Sequence, residues 1–151
     1  MARLSLDTNV LIYAVDLANS EKHKRAKGLI GRAATADLVL TQQVLGEYLN
    51  VVLKRMPEQH VALRQTGETF SRVFPVVATL PALLFAAYDR AVRYKLQFWD
   101  AVIITVCLAN GVSHLLSEDL QDGQTVDGLT IVNPFNQANH ATLEMLLTEA
   151  A

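Results

Sequence analysis

Four acids in this chain stand where a charge is awkward. Asp7 closes the apolar run Leu4 to Leu6 and is followed by Thr8 and Asn9. Glu47 interrupts the otherwise mainly apolar stretch Val44 to Leu53. Asp100 follows Phe98 and Trp99 and directly precedes Ala101-Val102-Ile103-Ile104. Asp119 belongs to the triplet Ser117-Glu118-Asp119, which follows the run His114 to Leu116. Two carboxylates ~4 Å apart repel by ~4 kcal/mol at an effective dielectric of ~20. Several such pairs at one place would rival a whole domain's stability of ~5–15 kcal/mol. If the four acids converge, protons or metal ions must neutralise them. Hard carboxylate oxygens suit Mg²⁺ or Mn²⁺, and such an ion with water in its shell serves phosphoryl transfer. Each acid also has a plainer reading. Asp100 in the first turn of a helix favours the helix dipole, and Glu47 suits the wet side of an amphipathic helix.

The elements that must bring these acids together are legible in outline. Leu4 to Leu6 reads as a strand ending at Asp7, with a helix start over Val10 to Val15. Asn19-Ser20 caps a basic helix from Glu21 to Ala34. Asp37 to Leu40 is a strand, and Thr41 caps a helix from Gln42 to Met56 that Pro57 stops. Glu58 to Val73 is helical, Val76 to Leu80 is a short strand, and Pro81 sits at the first turn of a helix over Ala82 to Leu96. Phe98 to Asn110 is helical, with Gly111 as its stop. Val112 to Ser117 and Leu129 to Val132 are strands, Glu118 to Gly128 is a polar connection, and Asn139 to Ala150 is a last helix. Strands alternating with long helices predict an α/β fold, with α/β/α layers around a mostly parallel sheet of four to five strands. In such sheets sites lie beyond the carboxyl ends of the strands, where Asp7 and Asp119 fall. No repeat or linker divides residues 1–151, so a single domain is expected.

The 151 residues are 51% hydrophobic and 19% charged, which excludes a disordered chain. The lone Cys107 excludes a disulfide scaffold. The longest mainly apolar stretch, Ala101 to Ala109, falls far short of the ~20 residues of a membrane span. No export signal precedes Asp7, so a cytoplasmic protein without membrane association is expected. The net charge of −2 conceals a division: residues 1–95 carry +5 and hold every Lys and Arg, whereas residues 96–151 carry −7. That division fits an acidic pocket rimmed by phosphate-binding bases, provided that the fold unites the two segments.

The Asp7-Thr8-Asn9 turn, Glu47 in its Leu45-to-Val51 setting, Phe98-Trp99-Asp100-Ala101, and Leu115-to-Gly123 followed by Ile131-Val132-Asn133-Pro134-Phe135 together resemble the PIN domain. More narrowly they resemble the VapC-like toxins of bacterial toxin–antitoxin pairs. The resemblance runs over residues 3–135, and the tail beyond Phe135 carries none of it. It implies a PIN-like α/β/α fold and a metal-dependent endoribonuclease that hydrolyses RNA phosphodiesters by water attack, leaving 5′-phosphates. Asp7, Glu47, Asp100 and Asp119 would be both catalytic residues and ligands for one or two Mg²⁺ or Mn²⁺ ions. The pattern Ser117-x-Asp119 selects Asp119 over Glu118. Asn9 and Ser117 would orient the carboxylates, and Asp122 is an auxiliary ligand or a turn acid beside Gly123. The implied partners are an RNA substrate, a small cognate antitoxin covering the acidic pocket, and a second copy in a homodimer.

Other residues carry weaker signals. The four histidines share no ligand spacing, and Cys107 reads as core. Trp99 reads as a core anchor, with base stacking as the alternative. Lys22, Lys24, Arg25, Lys27 and Arg32, and also Lys54 and Arg55, suit either phosphate contacts or solvated helix faces. A non-catalytic PIN-like module binding RNA or protein is the main alternative, and the intact set of four acids argues against it. A receiver-like or phosphatase fold would require a late lysine, and none follows Lys95.

Overall fold

The structure, a computed structural model, describes residues 2–149. The first strand, β1, is Leu4–Leu6. All three of its residues are buried, including the polar Ser5. A strand buried on both faces belongs inside a sheet covered by helices on both sides, the three-layer arrangement expected. Helices α1 (Thr8–Tyr13) and α2 (Ser20–Ala33) follow. Next come strand β2 (Leu40–Thr41) and helix α3 (Gln42–Arg55). After a single 3₁₀ turn at Pro57–Gln59 come α4 (His60–Val73) and β3 (Val76–Val77). Helices α5 (Pro81–Tyr94) and α6 (Phe98–Ala109) are followed by β4 (His114–Leu116), β5 (Thr125–Val126), β6 (Leu129–Val132) and α7 (His140–Glu149).

The main sheet has four strands in the order β1-β4-β6-β5. β1 and β6 flank β4 in parallel, with Leu6 opposite Leu116 and Leu116 opposite Val132. β2 and β3 form a separate parallel pair, tied to β1 through a bridge between Leu4 and Leu38. The main sheet thus has the expected four to five strands and is mostly parallel, with β2 and β3 as an additional two-stranded ladder. The strand expected over Asp37 to Leu40 shifts to Leu40–Thr41, and the one over Val76 to Leu80 is confined to Val76–Val77. The polar connection from Glu118 to Gly128 contains a short strand, β5, antiparallel to β6. The turn between them is Asp127-Gly128, and both residues have positive φ, at 48° and 94°. Tight hairpin turns demand that conformation, and Asp-Gly supplies it. The last helix ends at Glu149, so the expected residue Ala150 lies outside the described residues.

The position of α3 governs where Glu47 goes. The adjacent Tyr48 is fully buried, packs in a T-shape with Phe70 at 5.4 Å and donates its hydroxyl to the Leu63 carbonyl at 2.7 Å. Gly67 on α4 lets this ring approach closely: a Cβ there would lie 3.0 Å from Tyr48 Cε1. α6 is the apolar helix of the core, with Ala101 to Cys107 buried throughout. Among the described residues no helix is long and apolar enough to cross a membrane.

Candidate active site

β1 and β4 run side by side and end together, so the residues after them meet. Asp7 is the N-cap of α1, with an extended backbone at φ −81° and ψ 163°. Its Oδ1 accepts from Thr8 N at 2.8 Å. Its Oδ2 accepts from the Ser117 hydroxyl at 2.7 Å, across 110 residues of sequence. Asn9 Nδ2 donates to Asp119 Oδ2 at 3.2 Å and approaches Asp7 Oδ2 at 3.5 Å. Asn9 Oδ1 accepts from Glu118 N. Asn9 thus clasps the loop after β4 against the N-terminus of α1.

α3 and α6 bring in the other two acids. Glu47 accepts from the Thr8 hydroxyl at 2.6 Å and from Gln43 Nε2 at 2.8 Å. Gln43 Nε2 also donates to the Trp99 carbonyl at 3.1 Å, tying α3 to the first turn of α6 beside Asp100. Thr8 and Gln43 were not singled out from the sequence. Gln43 is one helical turn before Glu47, so the spacing that puts both on one face was available.

Burial and mutual charge couple these acids. Asp7 is only 6% exposed, and its carboxyl is pushed up to about 6. Burial is the main cause, opposed by the bonds from Ser117 and Thr8 and reinforced by the charges of Glu47 and Asp100. The Asp100 pKa is also raised, by burial first and then by Glu47 and Asp119. Among the described residues no Lys, Arg or His forms an ion pair with any of the four. Glu118 points elsewhere, accepting from Lys22 at 2.6 Å and from the Tyr13 hydroxyl at 3.3 Å.

The donor set suits a hard divalent cation: carboxylate oxygens with an amide and hydroxyls around them, and no thiolate or imidazole. Among the described residues no three such ligand groups already close on a single point. Mg²⁺ does not require that, because it is usually bound through one or two carboxylates and keeps several waters.

Asp122 is held elsewhere. Its two oxygens accept from Asn133 N, Asn136 Nδ2 and Asn139 Nδ2, each at 2.9 Å. Desolvation alone would raise its pKa, but these donors outweigh it and the net shift is downward. The carboxylate pins the turn after β6, which is the turn-acid reading. Asp122→Ala is expected to lower stability by about 1 kcal/mol while leaving metal affinity unchanged, as chemical denaturation and calorimetry would show.

The rim differs from the expectation. Lys22 is paired with Glu118 and Arg32 with Glu144, so these bases of α2 are engaged by acids of the C-terminal segment. The cleft beside the acids, of about 540 Å³, is lined by Asn9, Tyr13, Glu47, Asn50, Arg55 and Asp119 among others. Its cation is Arg55, at the end of α3, which forms no ion pair among the described residues. Trp99 is not a core anchor: it is 56% exposed, turned out of the apolar helix whose interior begins at Ala101.

Residues 4–121 match the family model described as the PIN domain. No curated protein matches the chain. Among solved structures, the chain is similar to VapC20 of Mycobacterium tuberculosis, described as a sarcin–ricin loop cleaving toxin. The identity is 21% and the TM-score 0.64, over 77% of this chain and 89% of that one. A toxin–antitoxin complex from Klebsiella pneumoniae matches at 19% identity and a TM-score of 0.65, over 89% and 98% of the two chains. FitAcB from Neisseria gonorrhoeae matches at 14% identity and a TM-score of 0.66, over 88% and 99%. At these identities the likeness is one of fold.

Proposed function

Since the chain belongs to the PIN-domain family, we propose that it is a metal-dependent endoribonuclease and the toxin component of a toxin–antitoxin pair. One observation supports this above the others. Four carboxylates from separate places in the chain lie near enough to act on one another's charge, Glu47 and Asp119 lining one cleft, and among the described residues none has a basic partner. Asp7, Glu47, Asp100 and Asp119 would hold Mg²⁺ or Mn²⁺, as one or two ions. The ion, when bound, supplies charge neutralisation at the phosphate and a lowered pKa for attacking water.

The protein's own groups prepare that chemistry. Thr8 and Gln43 fix both oxygens of Glu47. Ser117 and Thr8 N fix Asp7, and Asn9 fixes Asp119. Carboxylates oriented by such bonds hold a cation without reorganising, which is how surrounding hydrogen bonds raise metal affinity by ~10–100-fold. Asp7 must lose its proton to serve, and the raised pKa means that a cation and a proton compete for it.

The partners proposed are an RNA substrate, a small antitoxin protein and a second copy of the chain, in the cytoplasm. The structures of similar fold include toxin–antitoxin complexes. α5 also carries an exposed apolar strip, Phe85, Tyr88 and Val92, at helical spacing suited to a protein partner.

Purified protein is expected to bind Mn²⁺ in calorimetric titration and to cleave single-stranded RNA to products with 5′-phosphate ends. A chelator should abolish cleavage, and added Mn²⁺ should restore it. Absence of both Mn²⁺ binding and cleavage would leave a non-catalytic PIN module instead.

A further inference from the structure

Resting on the ribonuclease reading, we propose that α3 is the floor of a track for an unpaired RNA strand, with Trp99 stacking a base at one end and Arg55 taking a phosphate at the other. Glu47 lies on α3 between Gln43, which binds the Trp99 backbone, and Arg55.

The geometry points to this arrangement through one helix. Gln43, near the start of α3, binds the Trp99 carbonyl and the Glu47 carboxylate with the same amide nitrogen. The Trp99 backbone is thereby tied to Glu47. Glu47, Asn50 and Arg55 follow along the cleft. From Gln43 to Arg55 the helix rises ~18 Å, room for more than one nucleotide.

Trp99 is the costliest kind of residue to leave in water, yet it is 56% exposed while Ala101 to Cys107 of the same helix are buried. Its ring packs against Phe98, with centroids 5.0 Å apart and planes at 74°. A T-shaped contact covers at most one face of a ring and leaves the other open. A base face is available only in an unpaired strand, because a duplex hides it in the stack. At the other end, Arg55 is exposed and, among the described residues, has no carboxylate partner, whereas Lys22 and Arg32 on α2 each have one. A phosphate supplies the acceptors that its guanidinium lacks.

The chain contains a single tryptophan, so its intrinsic fluorescence reports Trp99 alone. The full-length protein in chelator, where no cleavage occurs, would be titrated with a short labelled RNA oligonucleotide, single-stranded or annealed to its complement. Fluorescence of Trp99 and anisotropy of the label would be read together. The unpaired strand is expected to quench Trp99, and the duplex to leave it bright. Trp99→Ala should weaken binding on the order of tenfold and raise KM more than it lowers kcat, and Trp99→Phe should recover most of the loss. Arg55→Ala should weaken binding of all sequences alike and reduce the salt slope by about one phosphate contact.

Bound RNA with unquenched Trp99, or equal quenching by duplex, would overturn the track. So would fluorescence that shifts with protein concentration in the absence of RNA, since that assigns Trp99 to contact with a second copy. Cleavage without quenching would overturn the track alone. Absence of RNA binding in chelator, together with no cleavage in Mn²⁺, would overturn the nuclease reading and the track with it.

Discussion

Asp100→Asn is expected to cut RNA cleavage on the order of a thousandfold and leave the fold intact. The substitution preserves shape and removes one negative charge from the proposed cation site. Loss of ~4 kcal/mol of charge stabilisation in the transition state corresponds to about that factor, at ~1.36 kcal/mol per tenfold. Asp100 is the cleanest position for the test because of what does not depend on it. Asp7 and Glu47 accept hydrogen bonds that lock α1 and α3, so their loss also loosens the surrounding backbone. Asp100 is half-buried in the first turn of α6, and its pKa is raised by burial and by the charges of Glu47 and Asp119. An uncharged amide there relieves repulsion. Cleavage of single-stranded RNA in Mn²⁺, followed on a gel beside a circular dichroism spectrum, decides the matter. Undiminished cleavage by the folded variant would sink the mechanism.

A second large effect concerns stability, and it runs opposite to activity. Asp7 titrates near 6 in the folded chain against an ordinary value of 3.8. Below about pH 4 the carboxyl is protonated whether the chain is folded or not, and its neutral form is easily buried. As the pH rises the unfolded chain ionises first, so the stability this group contributes is lost progressively up to about pH 6. Beyond that the metal-free protein carries a penalty of about 3 kcal/mol, at ~1.36 kcal/mol per pKa unit. Asp7→Asn removes the charge. In chelator at pH 8 the variant should be more stable than the parent by up to about 3 kcal/mol, reduced by whatever its amide loses as an acceptor for Ser117. In melting temperature this is a gain of several degrees, at ~2–4 °C per kcal/mol. Near pH 4 the advantage should vanish. Mn²⁺ should then raise the parent's melting temperature and leave the variant's nearly unchanged, because only the parent keeps the ligand. A variant less stable than the parent at pH 8, or a difference independent of pH, would show that the buried charge is not the cause.

The reading of sequence against structure divides along a physical line. What local chemistry determines was legible: the strand into Asp7, the Thr41 cap of α3, the stop at Pro57, and the apolar helix behind Asp100. The preference for Asp119 over Glu118 rested on a motif, and the structure gives each a distinct neighbour, Asn9 for one and Lys22 for the other. What depends on distant partners was not legible. The bases of α2 looked free because Glu118 and Glu144, which engage Lys22 and Arg32, lie 96 and 112 residues further on. Trp99 looked like core because its neighbours are apolar, but a residue at the first turn of a buried helix still lies at the protein's surface. β5 was overlooked because two residues show no periodicity, although Asp127-Gly128 was the turn signal that announces a hairpin.

The pairing of β1 with β4 has a consequence in time. Asp7 and Asp119 meet only after 112 further residues have been added to the chain. At ~5–20 residues per second of synthesis, that interval is roughly 6–22 s. Throughout it the growing polypeptide owns Asp7, then Glu47, then Asp100, but no pocket, since the parallel partner that presents Ser117 and Asp119 has yet to be made. If the chain cuts RNA as proposed, it cannot do so before the residues through Asp119 have been made.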